Sequence, residues 1–168
     1  MIVIVLGLPG SGKSYFAERL AKQLDAEYLN SDRLRRELLS KRTYSDQEKA
    51  KVYAVMLEKM EEALRQKKSL VLDATFHKNE SREPFFEKGK GKISIIEVRA
   101  DEVIIKERVQ KNRPFSEADF EVYECIKQEW KPLEVPHLML ESTNENIGAM
   151  LQQAPEYLKN DQESNRLY

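Results

Sequence analysis

IVIVLGLPGSGKS, residues 2–14, is the stretch from which the fold can be read. Ile2 to Leu6 are apolar and mostly β-branched, the signature of a buried strand. Gly7-Leu8-Pro9-Gly10-Ser11-Gly12-Lys13-Ser14 then matches the phosphate-binding pattern G-x-x-x-x-G-K-[ST]. Such a loop wraps a phosphate with its N–H groups turned inward, a curvature that residues bearing a Cβ adopt at a cost. Gly7, Pro9, Gly10, Ser11 and Gly12 therefore form the expected cradle. The helix opening at Lys13 points its positive end at the same phosphates. Lys13 is placed to bridge the outer two phosphates of ATP or another nucleoside triphosphate, and the Ser14 hydroxyl to ligate Mg²⁺.

The rest of the chain bounds this reading. Its 168 residues suit one domain with a proper core. The expected extent is residues 1–158, with a lid over about 101–130 and a polar, flexible tail over 159–168. A net charge of -1 gives no global signal for nucleic acid or membrane, so any polyanion must be held by a local patch. The single cysteine, Cys125, excludes an internal disulfide and reads as a buried thiol in a helical pattern. No apolar run reaches membrane-spanning length, and the amino terminus reads as strand and loop rather than leader. The expected location is cytoplasmic.

Outward from the loop, strands alternate with helices. Phe16, Ala17, Leu20, Ala21 and Leu24 recur at helical spacing, and Tyr28-Leu29 reads as a short second strand. Asn30-Ser31-Asp32 caps a helix from Arg33 to Ser40. Ser45 and Glu48 form a capping box for a long helix to about Gln66. Ser69 to Leu72 is a third strand, followed by a short helix from Asn79 or Ser81 that Pro84 interrupts. Ile93 to Val98 is a fourth strand. Helices are expected over Glu102 to Asn112 and from the Ser116–Asp119 cap to about Trp130. His137 to Leu140 is a fifth strand, and Asn144 to Gln153 a last helix. The pattern predicts an α/β P-loop NTPase fold with a five-stranded parallel sheet, helices on both faces and a helical lid, as in nucleoside kinases. In such sheets the ligand sits at the carboxyl ends of the strands.

Chemistry-bearing residues fall at that edge. Asp32, just past the second strand, is placed to accept a proton from an attacking hydroxyl, although helix capping is the alternative. Arg35, three residues on and on the same face, suits a bidentate grip on an acceptor phosphate. Asp73 ends the strand SLVLD and can hold Mg²⁺ or orient Ser14, and Thr75 can line the acceptor side. Arg108 and Arg113 belong to the lid segment, where arginines neutralise charge that develops during transfer. Ser142-Thr143 follows the last strand and suits contact with the nucleobase, or a helix cap.

Together these residues resemble the P-loop kinase superfamily that includes bacterial and phage polynucleotide 5′-hydroxyl kinases. The resemblance rests on GLPGSGKS, the D-x-x-R of Asp32 and Arg35, LVLDAT of Leu70 to Thr75, and E-R-x-x-K-N-R of Glu107 to Arg113. It runs from Ile2 to Thr143. The resemblance implies Asp32 as general base for a nucleic-acid 5′-OH and Arg35 as the ligand of the acceptor's 3′-phosphate. It also implies that Arg108 and Arg113 contact the donor phosphates. SDRLRREL, VLDATF and VYE are likewise similar to uncharacterised bacterial ATP-binding proteins of AAA-type, P-loop, kinase-like character.

The leading expectation is an Mg²⁺-dependent kinase that moves the γ-phosphate of ATP to the 5′-OH of RNA or DNA. The second is a kinase of a small metabolite or antibiotic hydroxyl, which keeps Lys13, Ser14 and Asp32 but gives Arg35 no phosphate to bind. The third is a nucleotide-binding partner module that transfers nothing.

Overall fold

All five residues of β1 (Ile2–Leu6) are buried, because strands flank both edges and helices cover both faces. The computed structural model describes residues 1–43, 45–111 and 119–165. After β1 come α1 (Lys13–Gln23), β2 (Glu27–Asn30), α2 (Ser31–Leu38), α3 (Asp46–Gln66) and β3 (Leu70–Asp73). Then follow α4 (Asn79–Lys88), β4 (Ile93–Arg99), α5 (Glu102–Gln110), α6 (Phe120–Glu129), β5 (Leu138–Glu141) and α7 (Ile147–Asn165). The sheet has five strands in the order β2-β3-β1-β4-β5, and every pairing is parallel.

Alternation along β1 sorts the core into two layers. Ile2, Ile4 and Leu6 pack with Met56, Met60 and Phe85 from α3 and α4. Val3 and Val5 face the other way, onto Phe16 and Leu20 of α1 and Ala154 and Leu158 of α7. The loop after β1 thereby emerges from the centre of the sheet with its helix held rigidly beneath it.

Four sequence expectations change. The tail expected over 159–168 is helical as far as Asn165. Pro155 does not end α7, because Ala154 and Leu158 are buried in the core and Ser94 Oγ donates to Asp161 Oδ2 at 2.5 Å. Pro84 likewise sits inside an unbroken α4. The backbone bond it forfeits is to the carbonyl of Glu80, an exposed residue in the first turn where water can replace it. Cys125 is exposed rather than buried, since α6 turns Tyr123 inward instead. The Ser45–Glu48 box forms by half: Ser45 Oγ accepts from Glu48 N, but the Glu48 side chain goes elsewhere.

Lys67, which ends α3, holds a left-handed conformation with φ 55°, unfavourable for a residue with a Cβ. Lys67→Gly should stabilise the protein by about 0.5–1 kcal/mol net of glycine's greater freedom when unfolded. Chemical denaturation at two temperatures checks this.

Candidate nucleotide and phosphoryl-transfer site

Two glycines in the loop are needed for its geometry. A Cβ on Gly7 would lie 2.3 Å from the carbonyl oxygen of Val98. At Gly12, where φ is +90°, it would lie 2.7 Å from Ser142 Oγ and 3.0 Å from Arg108 Nη1. The loop can thus close against β4 and the β5–α7 turn only because these side chains are missing. A cavity of about 580 Å³, in the range of small-ligand sites, is lined by Gly10, Gly12, Lys13 and Ser14. Asp32, Arg108, Ser142 and Thr143 also line it, so the phosphate loop, the first turn of α2, α5 and the β5–α7 turn meet there. Pro9 and Ser11 are buried within the loop, and Ser11 faces a second cavity of about 410 Å³ bounded by Leu8, Glu97 and Trp130.

Below the loop lies a polar network that the sequence reading did not foresee. Asp73 is fully buried, and its Oδ2 accepts from Tyr28 Oη and from Asn30 Nδ2, both at 2.6 Å. The same Asn30 amide reaches Ser14 Oγ at 3.4 Å. Its Oδ1 accepts from the backbone N–H of Asp32 at 3.1 Å and of Arg33 at 2.9 Å. Asn30, not Asp32, is therefore the cap of α2, which leaves the Asp32 carboxylate available to the cavity. One side chain fixes Ser14 and Asp73 relative to the helix that carries Asp32. Burial, reinforced by the charge of Asp73 and the bond to it, pushes the Tyr28 phenol up, so it remains a donor.

Asp73 Oδ1 is buried and has no hydrogen-bond partner. An unsatisfied carboxylate oxygen on a residue joined through Asn30 to a serine hydroxyl fits a hard, oxygen-seeking cation that retains its own water. Among the described residues no group of three or more His, Cys, Asp or Glu could hold a metal ion. A cation held by one carboxylate and one hydroxyl is the form Mg²⁺ takes beside phosphates.

Asp32 and Arg35 meet as their spacing predicts, but the guanidinium looks inward. Arg35 Nη1 donates to Asp32 Oδ1 at 2.7 Å. The Arg35 side chain is 8% exposed, against 33% for Asp32, and its Nε lies 3.8 Å from Glu48 Oε1 on α3. Arg33 is also committed, donating to Glu18 at 3.3 Å and lying over the Tyr28 ring. The basic run around α2 thus carries internal ion pairs.

Arg108 ties the phosphate loop to the turn after β5. Its Nη1 donates to the carbonyls of Gly10 and Ser11 at 3.2 and 3.1 Å and to Ser142 Oγ at 3.2 Å. Nε reaches Asn144 Oδ1 at 3.2 Å and Nη2 the Thr143 carbonyl at 2.8 Å. Burial lowers its pKa from the usual arginine value. Ser142 and Thr143 serve this junction, and α7 begins only at Ile147. Thr75 is half-buried beyond Asp73 and does not line the nucleotide cavity. Arg113 lies outside the described residues.

The sequence matches the model of a family described as an AAA domain over residues 2–133. The chain belongs to the AAA domain family. No curated protein matches it. Among solved structures, this AAA domain is similar to a gluconokinase from Sinorhizobium meliloti, with TM-score 0.76 and 16% identity over 98% of this chain and 95% of that one. Kti12 from Chaetomium thermophilum, in complex with ADP-AlF3, gives TM-score 0.72 and 16% identity over 96% and 98%. The Mycobacterium tuberculosis APS kinase in complex with AMPPNP and APS gives TM-score 0.71 and 19% identity over 94% and 96%. Identities this low show a shared fold, that of the P-loop kinases. No helix among the described residues is long and apolar enough to cross a membrane.

Proposed function

We propose that the protein is an ATP-dependent kinase whose acceptor is a hydroxyl of a small molecule. The acceptor oxygen forms a bond to the γ-phosphorus, the bond to the β–γ bridging oxygen breaks, and the acceptor proton passes to Asp32 as ADP leaves. Lys13 and the amides of the loop hold the outer phosphates, and Arg108 keeps the loop closed over them through the carbonyls of Gly10 and Ser11. Ser14 and Asp73 would hold Mg²⁺, which offsets phosphate charge when bound. Arg113 is proposed as a further lid cation.

The observation favouring a small acceptor is the state of Arg35. A nucleic-acid 5′ end carrying a 3′-phosphate needs that guanidinium turned toward the cleft. It is instead buried between Asp32 and Glu48. The gluconokinase and APS kinase, named for small-molecule chemistry, share the fold and lend this reading weight.

The test is transfer of labelled γ-phosphate with Mg²⁺ to a panel of sugars, polyols, nucleosides and amino alcohols, with a 5′-OH oligonucleotide alongside. Label is expected on a small molecule, reduced about 10²-fold or more by Asp32→Asn. Label on the oligonucleotide alone would overturn the choice of acceptor.

A further inference from the structure

Glu48 reads in the sequence as a capping residue, yet its side chain makes a different set of contacts. Its Oε2 accepts from Thr43 N at 2.6 Å and from Thr43 Oγ1 at 2.7 Å. Its side chain is 6% exposed, and Oε1 lies 3.8 Å from Arg35 Nε. Arg35 in turn donates to Asp32 at 2.7 Å. We infer that Glu48 is a positioning residue for phosphoryl transfer, acting on Asp32 through Arg35, with Thr43 fixing its carboxylate. The inference rests on the reading of Asp32 as the base.

Arg35 has a long, flexible side chain, and an arginine next to the base would by itself be free to fold over the carboxylate and occupy both its oxygens. A second carboxylate behind it changes the balance. Glu48 Oε1 faces the Nε side of the guanidinium from α3 at 3.8 Å, an ion-pair distance without a hydrogen bond, and the bond to Asp32 runs from Nη1 to Oδ1. Asp32 Oδ2 is then left for the acceptor. Charge supports the same division: one buried guanidinium shared by two carboxylates is attracted to Asp32 less fully than an undivided one. Thr43 completes the chain from the α2–α3 segment, since two bonds to one carboxylate oxygen fix the Glu48 rotamer. Groups arranged in this way act as a unit, and their removal is not additive.

The experiment is a double-mutant cycle of Glu48→Gln and Asp32→Asn, read by turnover of Mg-ATP with water as acceptor and by the thermal unfolding midpoint. Glu48→Gln keeps the shape and an oxygen for Thr43 while removing the charge. It should lower kcat by roughly 10-fold or more, as orienting partners do, with the KM for ATP and the affinity for ADP unchanged. In the Asp32→Asn background it should lower kcat no further. Glu48→Asp should recover part of the loss. The midpoint shifts should also fail to add, because the two carboxylates share Arg35. Additive losses in both readouts would overturn the inference and leave Glu48 a packing residue. Loss in neither Asp32→Asn nor Glu48→Gln would instead overturn the reading of Asp32 as base. If turnover lies below detection, the unfolding cycle decides alone, since an additive result there removes the coupling through Arg35. If Glu48→Gln does not fold, Thr43→Val carries the same cycle with both charges retained.

Discussion

Lys13→Ala should lower phosphate transfer by roughly 10²–10³-fold while the unfolding midpoint stays close to that of the unmodified protein. Lys13 is the first residue of α1 and contributes no buried apolar surface, so the core layers on either side of β1 do not sense it. It lines the cavity together with the loop glycines Gly10 and Gly12. Of the other described cations lining the cavity, Lys111 lies at the end of α5, and Arg33 and Arg108 are committed elsewhere. Arg108 directs its donors at Gly10, Ser11, Ser142, Thr143 and Asn144, and Arg33 is held by Glu18. Transfer depends on neutralising charge on the phosphates as the terminal bond lengthens, and a missing preorganised cation in a site of this kind is felt mostly in kcat. Single-turnover transfer and denaturation on the same sample check both halves. Activity within 10-fold of the starting protein would mean that another cation holds the phosphates.

The features legible in the sequence were those set by short-range geometry. The loop from Gly7 to Ser14 carries its own conformation, and the unbroken apolar run from Ile2 to Leu6 specifies a strand buried on both faces. The spacing of Asp32 and Arg35 correctly placed them together on one helix face. It could not say where the guanidinium looks, because that is decided by Glu48 on a different helix, brought in by the packing of α2 against α3. Asn30 was visible as a helix cap, but a cap uses only one end of the amide. The other end finds Asp73, a residue from the neighbouring strand whose register sets it directly opposite. At the carboxyl end the error had the opposite origin. A polar composition over 159–168 suggested a tail, whereas Ala154, Leu158 and Asp161 form a stripe at helical spacing that the sheet holds in place.

The second large effect is expected at Asp73. Asp73→Ala removes the acceptor of two buried or half-buried donors, Tyr28 Oη and Asn30 Nδ2. A donor left without a partner costs about 1–3 kcal/mol, so a stability loss of roughly 2–4 kcal/mol is expected from the pair. The amide of Asn30 then loses its anchor, and with it the fixed relation between Ser14 and the first turn of α2. Transfer should fall by about 10²–10³-fold, from lost charge at the metal position and from a displaced Asp32. Asp73→Asn separates these causes. Its remaining oxygen still accepts from Tyr28 or Asn30, so much of the stability should return, but a neutral amide cannot balance a divalent cation. Transfer by the Asn variant should therefore stay low, and the Mg²⁺ concentration for half-maximal activity should rise at least 10-fold. Full activity in Asp73→Asn would assign Asp73 to holding Asn30 and Tyr28 in place, and would move the cation onto Ser14 and the phosphates alone.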